Sequence, residues 1–332
     1  MEEYRSNISA LILMTSYNGE KYIGKQIESI INQTVDNWRL IIRDDGSNDT
    51  TVEIIKLYCD SDDRIQLFQN ETSRHGAYLN FFTLIDYAKK IETFDYYFFA
   101  DQDDIWFEDK LEEMVLAAER CEHYAQPLLA YSDMQIIDEN DELIYPSLND
   151  IMGISEIGEY SLLFAHGFLW GCDILINRKL FELVPCLPLN YPNIEIMSHD
   201  NYYGKFALIY GKVLYVKKPY IRHRRHGKNT TGQYKMKLNL VSILSEFFLN
   251  FTELTKTHAR VYNQTLCFAQ QAKLNGLPNS KVDQLERAIR KGGVYAVLQM
   301  IKWKVKRKQI SRTIGIYLVM FLKSYKKYIV IK

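Results

Sequence analysis

Apolar residues in the first third of the chain fall into two alternating patterns. Unbroken runs at Ala10 to Thr15, Trp38 to Arg43, Arg64 to Phe68 and Tyr96 to Phe99 read as buried strands. Helix-type spacing follows each, at Glu20 to Asn32, Asp49 to Cys59, Ala77 to Lys90 and Glu108 to Cys121. The rhythm predicts an α/β fold with a mostly parallel central sheet and helices on both faces. Farther on, the pattern predicts short strands over Leu128 to Ile137, a turn at Asn140-Asp141 and a helix near Glu156 to Phe164. Next come a strand from Phe168 to Ile176, a helix from Asn201 to Tyr210, and two strands, Lys212 to Val216 and Tyr220 to His223. Composition changes after Gln233, and from Lys235 the pattern is almost wholly helical, broken at Asn275 to Pro278. A first domain over 1–233 and a helical region over 234–332 are expected.

Charge sharpens this division. The 332 residues carry 41 Lys plus Arg and 41 Asp plus Glu, yet Ile301 to Lys332 holds ten basic residues and no acid. That tail also carries Trp303, Tyr317, Phe321, Tyr325 and Tyr328, a mixture suited to lying on an anionic membrane surface, or to packing in the core or in a homodimer with the basic face solvated. Five scattered cysteines without CxxC spacing argue against a disulfide framework or a zinc site and fit a reducing cytosol. The N-terminal MEEYRSNIS lacks the apolar core of a secretion signal, and no run reaches the ~20 apolar residues of a spanning helix. A cytoplasmic protein, peripheral on the membrane through 301–332, is expected.

Three predicted strands end in unusual residues: Thr15-Ser16-Tyr17-Asn18-Gly19, Asp44-Asp45-Gly46-Ser47, and Asp101-Gln102-Asp103-Asp104. In a parallel sheet these ends open on one edge, where open α/β sheets bind ligands. The acids of the third end repel one another unless solvated or sharing a cation, so they read as a hydrated turn or as a Mg²⁺ or Mn²⁺ site holding a diphosphate. Asp60-Ser61-Asp62-Asp63 has the same letters but follows a helix-like segment, and there only the turn is expected. An ionised Asp44 accepts hydrogen bonds, as the N3 hydrogen of uracil or thymine requires. Asn-Gly and Asp-Gly are also strong turn formers, so turn chemistry stands beside ligand binding at the first two ends.

Together with Asp101-Gln102-Asp103-Asp104-Ile105-Trp106, these segments resemble family 2 glycosyltransferases of the GT-A fold, over about Ile8 to Gly232. The likeness is closest to bacterial rhamnosyltransferase-type members that build cell-wall or capsular polysaccharide. It implies a nucleotide-binding half at about 1–105 and an acceptor-binding half at about 106–233. Nucleotide-sugar contacts are implied for Thr15, Tyr17, Asn18, Asp44, Arg74, Asn80, Asp101, Gln102 and Arg224, and metal contacts (Mn²⁺ or Mg²⁺) for Asp103 and His226. Asp200, in Ser198-His199-Asp200-Asn201-Tyr202, matches the general base, although the common pattern has tryptophan where this chain has Asn201. Trp106, Trp170, Gly171, His199 and Asn201 fall on the acceptor side. The implied donor is dTDP-L-rhamnose or a UDP-sugar, and the implied acceptor a lipid-linked saccharide.

Rival classes meet specific objections. A nucleotidylyltransferase needs a Gly-rich basic loop after the first strand, and TSYNGEKY is not one. Asp103 together with Asp200 argues against a non-catalytic sugar-binding protein. A processive synthase needs a QxxRW segment, whereas Gln309 to Thr313 ends in threonine. The dense basic loop Arg222 to Asn229 suits a lid over phosphates better than a nucleic-acid surface, because acids occupy the centre of the region before it.

Overall fold

The structure is a computed structural model describing residues 8–153, 159–165, 169–227 and 251–331. It begins with β1 (Ala10–Ser16), α1 (Ile23–Ile31), β2 (Trp38–Asp44), α2 (Thr51–Ser61), β3 (Ile65–Gln69), α3 (Ala77–Ala88) and β4 (Tyr96–Asp101). All seven β1 residues are buried, as expected for a strand covered on both faces. The four strands pair in parallel, and the register sets Ser16 opposite Asp44 and Thr15 opposite both Arg43 and Asp101. Three sequence segments far apart in the chain thus end side by side.

Beyond β4 come β5 (Ile105–Trp106), α4 (Lys110–Glu119), β6 (Leu128–Ile137), β7 (Leu143–Tyr145) and α5 (Leu148–Met152), then β8 (Ile174–Asn177), α6 (Arg178–Leu183), α7 (His199–Tyr210) and β9 (Lys212–Arg224). The sheet order is β3-β2-β1-β4-β8-β6-β9-β5, with β7 on β6. The parallel expectation holds for the first four strands and for β6 with β9, whereas β8 runs antiparallel to both neighbours, as do β5 to β9 and β7 to β6.

Several predicted boundaries move for identifiable reasons. The two strands expected after Tyr210 are one, because the Lys217-Lys218-Pro219 interruption is absorbed as a register shift around Asp133 and Pro219. Leu128 to Ile137 is likewise one strand. The strand expected from Phe168 starts only at Ile174, after a 3₁₀ turn over Gly171–Asp173. There the ladder stops at Tyr131↔Ile174, since the Ser132 amide donates to the Asp173 carboxylate (3.0 Å) and the Cys172 carbonyl accepts from Lys110 (3.0 Å). The helix expected near 156–164 is a 3₁₀ turn at Glu159–Leu163, its start lying outside the described residues. The helix expected from Glu20 starts at Ile23, since Asn18 takes a left-handed conformation (φ 47°) and a turn follows.

By contacts the chain divides into two units, one of 1–148, 169–203 and 210–227, the other of 149–168, 204–209 and 228–332. In the second, α8 (Phe251–Leu274), α9 (Ser280–Lys291), α10 (Gly293–Lys302) and α11 (Ile310–Leu322) make the helical region expected after residue 234, of which 234–250 lie outside the described residues. The predicted break falls between α8 and α9, where Gly276 has φ 69° and Asn279 caps α9 by accepting from the Lys281 amide (2.9 Å). Its core includes Phe206 edge-on to Phe268 (4.8 Å between ring centres) and Tyr262 edge-on to Tyr325 (4.7 Å).

Backbone packing makes one glycine indispensable and another replaceable. A Cβ at Gly211 would lie 1.9 Å from the Pro127 carbonyl oxygen, which also accepts the Lys212 amide where β6 and β9 begin to pair. At Gly24, in α1, a Cβ meets nothing nearer than 3.4 Å. Thermal melts are expected to show Gly211→Ala destabilised by about 1–3 kcal/mol or more and Gly24→Ala unchanged or slightly more stable; equal melting of the two variants would contradict the packing.

Candidate functional site

The loops after β1 and β2 are built from one another. The Asp44 carboxylate is buried and takes four hydrogen bonds from the chain: the Ser16 hydroxyl (2.9 Å), the amides of Gly46 (3.0 Å) and Ser47 (2.7 Å), and the Ser47 hydroxyl (2.5 Å). The Asn18 amide donates to the Ser47 hydroxyl and the Gly19 amide to that of Thr51, each at 2.8 Å. Asp45 accepts from Asn70 (2.8 Å) and the Gly76 amide (2.7 Å), drawing in the segment ahead of α3. Asn80 bonds the Arg43 guanidinium and donates to its carbonyl (3.0 Å), while Arg74 reaches the Leu189 carbonyl (2.6 Å). Turn chemistry at these ends is therefore real, and it shapes a rim at the sheet edge.

The third strand end completes the rim. Gln102 accepts from the Tyr17 amide (2.8 Å) and donates to the Tyr17 carbonyl (3.0 Å), bracing β1's loop against β4's and leaving the Tyr17 ring 54% exposed. A Cβ at Gly19 would fall 2.2 Å from the Gln102 side chain, so this brace needs glycine there. Asp103 meets His226 (Oδ2 to Nε2, 2.7 Å), pairing the two residues singled out as metal ligands. Arg224, fully buried, donates from Nε to the Asp103 carbonyl (2.8 Å), bonds the Asp138 carbonyl (3.1 Å) and Asp141, and covers the Tyr22 ring. In this structure it is a strut for the acid loop. By contrast, Asp62 of the look-alike acidic run pairs with Arg64 (2.7 Å), an ordinary charged turn.

Behind the acids lies a buried polar layer that the sequence reading missed. The Asp104 carboxylate accepts from His223 Nδ1 (2.9 Å) and from the Arg224 amide (3.1 Å). Lys110, fully buried at the start of α4, donates to the Cys172 carbonyl and lies 3.9 Å from the Trp106 ring centre. Asp173 binds the Ser132 hydroxyl at 2.5 Å. The clue to Lys110 was positional: with Leu111, Met114, Val115 and Ala118 it falls on the buried stripe of its helix. His223 likewise shares a strand face with Ile221, the period-2 sign of an inward ring.

Desolvation and like charge act together here. Burial, then the neighbouring Asp104 and Asp103 charges, push the Asp101 carboxyl up to about 8, and Asp200 adds to the effect. Burial lifts Asp173 to about 7 and lowers the Lys110 ammonium to about 8. Although burial opposes both, the His223–Asp104 pair holds Asp104 below and His223 above their ordinary ranges. Asp200 sits in the first turn of α7, partly exposed, with its carboxylate bonded by the Asn201 amide (2.5 Å) and side chain (3.1 Å). Asn201 also donates to the Ser198 hydroxyl (3.0 Å). Next to Asp200, His199 is buried against Phe81 and Phe99, and burial takes its ring down to about 4, so it is neutral at pH 7. Gly171, beside the partly exposed Trp170, has no room for a Cβ, which would lie 2.6 Å from the His199 ring. Thr15 is buried at the mouth of β1, and Trp106 is buried beneath the acid loop.

These residues fit a hard divalent ion. Asp103 and His226 present an oxygen and a nitrogen to each other, and Asp101 stays protonated for want of a counter-charge. The proton on Asp101 has a measurable consequence in the metal-free protein. In the unfolded chain the acid ionises near 3.8, but in the fold only near 8, so between these values the folded state holds the extra proton and stability falls as pH rises. Asp173 and His223 act in the same direction, while His199, whose ring burial takes down from 6.5 to about 4, opposes them only below about pH 6.5. Denaturation midpoints measured in chelator are expected to decline from pH 5 to pH 8, and Asp101→Asn should flatten the decline without abolishing it; an unchanged slope would contradict the assignment.

Comparison with known proteins identifies the family and the fold. The model of the family described as glycosyl transferase family 2 matches residues 11–184, more than half of the chain. The dTDP-rhamnosyl transferase RfbG of Shigella flexneri is 28% identical over 226 residues, covering 66% of this chain and 73% of that protein. An uncharacterized glycosyltransferase of Rickettsia bellii is 23% identical over 307 residues, 89% of this chain, which spans only 42% of that longer relative. A UDP-Glc:alpha-D-GlcNAc-diphosphoundecaprenol beta-1,3-glucosyltransferase, WfgD of Escherichia coli, is 38% identical over 104 residues, 31% of this chain and 38% of that one. Among solved structures, residues 1–349 of S. aureus TarS with UDP-GlcNAc superpose with a TM-score of 0.52 at 15% identity, covering 97% of this chain and 92% of that one, a likeness of fold. With three polar strand ends in one row, two of them bearing acids, this chain belongs to glycosyl transferase family 2.

Proposed function

We propose that the protein is an inverting, metal-dependent glycosyltransferase that moves L-rhamnose from dTDP-rhamnose onto a saccharide or lipid-linked saccharide during polysaccharide synthesis. The observation that carries this reading is the meeting of Asp103 with His226 in the loop that follows Asp101. A site with acids at one wall and a partly exposed carboxylate at another suits in-line displacement. The rhamnosyl donor is favoured because the RfbG likeness extends over most of both chains; the WfgD likeness supports UDP-glucose as the alternative with the same pyrimidine requirement.

In this reading Asp200 accepts the proton of the acceptor hydroxyl as its oxygen attacks the anomeric carbon from the face opposite the diphosphate. Two features of the chain prepare it. Asn201 orients the carboxylate, and its neighbour His199 is neutral at pH 7. Asp44 reads the pyrimidine N3 hydrogen. Its acceptor positions are filled by the chain's own donors, so the Ser47 hydroxyl rotates away as the base enters. Thr15, Tyr17 and Asn18 line the nucleotide side, with Gln102 setting the height of the Tyr17 loop. Asp103 and His226 hold the ion, which when bound supplies positive charge against the leaving diphosphate.

Turnover should be measured with purified protein, Mn²⁺, a panel of nucleotide sugars and a lipid-linked acceptor extract, following nucleoside diphosphate release. Release from dTDP-rhamnose is expected. Asp200→Asn should retain nucleotide binding while losing about 10²- to 10⁴-fold in rate, and Asp103→Asn should lose metal-dependent turnover. Full activity in both variants would refute the reading.

A further inference from the structure

The helical unit leaves an apolar surface bare. Along α10, Gly293, Ala296 and Met300 are buried, while Val294, Leu298 and Ile301 are 61%, 58% and 57% exposed. Their i, i+4, i+7 spacing puts them on one stripe, opposite the packed one. The adjoining helix α11 repeats this: Gly315, Ile316, Val319 and Met320 are buried, and Ile310, Ile314 and Phe321 are 77%, 57% and 50% exposed. A surface helix ordinarily turns a polar face to water. Here both faces of α11 are apolar.

The charge around this surface has a single sign. Glu286 is the last acid in the chain, and the 46 residues that follow carry thirteen Lys or Arg. Lys302, Lys304, Lys306, Lys323, Lys326 and Lys327 are exposed. Of the aromatic residues expected to supply the contact, Phe321 lies on this surface, whereas Trp303 packs against Tyr160 and Phe164, and Tyr325 is fully buried against Tyr262. Aliphatic side chains, joined by Phe321, form the exposed surface.

We propose that the exposed stripes of α10 and α11 dock on an anionic lipid bilayer, aliphatic side chains in the headgroup boundary and lysines among the headgroup phosphates. Charge and shape select this occupant. A two-fold dimer through the same face would set cations against cations, with no acid after Glu286 to relieve them. A nucleic acid would satisfy the lysines but leave the aliphatic stripes against phosphate and water. Insertion across the bilayer is ruled out for these helices, since no described helix is long and apolar enough to cross a membrane. A surface-lying helix needs just this combination of apolar stripe and basic surround.

The full chain should be tested by flotation with phosphatidylcholine vesicles, with and without phosphatidylglycerol, at low and high salt, alongside light scattering. Binding is expected only to the anionic vesicles, weakened by salt. Leu298→Ser/Ile314→Ser and, separately, Lys302→Glu/Lys304→Glu should each weaken it by at least tenfold while the melting temperature holds. Binding equal on neutral and anionic vesicles, no binding, or a dimer dissolved by the same variants would overturn the proposal. None of these outcomes depends on which sugar is transferred.

Discussion

Negative charge concentrated at the end of a buried strand is the constraint on which this site rests. β4 delivers Asp101, Asp103 and Asp104 within four residues, and their mutual repulsion in a partly dry setting costs folding free energy. Each acid is handled differently. Asp104 is neutralised by His223, Asp103 faces His226, and Asp101 keeps its proton. Arg224 secures the loop through the Asp103 backbone carbonyl. The inner pair, Asp104 with His223, is buried, whereas Asp103 and His226 stay partly exposed.

That division explains why the sequence disclosed the outer layer but not the inner one. The alternation of strand and helix patterns located β1 to β4 within a residue or two, and with them the row of Ser16, Asp44 and Asp101, because parallel strands buried on both faces have an unmistakable apolar signature. Residues at such strand ends stand out against that background. Lys110, Asp173 and His223 do not, since a lysine at a helix start, an aspartate before a strand and a histidine in a basic string all have ordinary surface explanations. Their burial depends on partners supplied by other segments. The antiparallel half of the sheet was hidden for the same reason: β8 has four residues and β5 two, and their pairings come from tertiary register, not local pattern.

Polar side chains also decided where regular structure stops. Asp173 takes the Ser132 amide that a longer β8 would have used, and Lys110 takes the Cys172 carbonyl. An apolar run at Leu169 to Ile176 therefore ends as turn plus strand, which brings Gly171 up to His199. In the helical unit the reverse holds. There the apolar pattern of α11 was plain, but which of its faces would be covered was not.

β9 pairs along its length with β6 and, near its end, with β5, and its last residues carry His223 and Arg224, with His226 just beyond. The hydrogen bond from His223 to Asp104 spans 119 positions, and the contact of His226 with Asp103 spans 123. Loop closure over such separations is slow and follows the local contacts. On the ribosome, the first four strands can assemble long before β9 has emerged, and the acid cluster then waits without its imidazoles. The acid cluster is thus completed only by the last strand of the sheet and the residues just beyond it, so that a prematurely ended chain keeps a recognisable half-fold in which Asp103 and Asp104 meet neither imidazole.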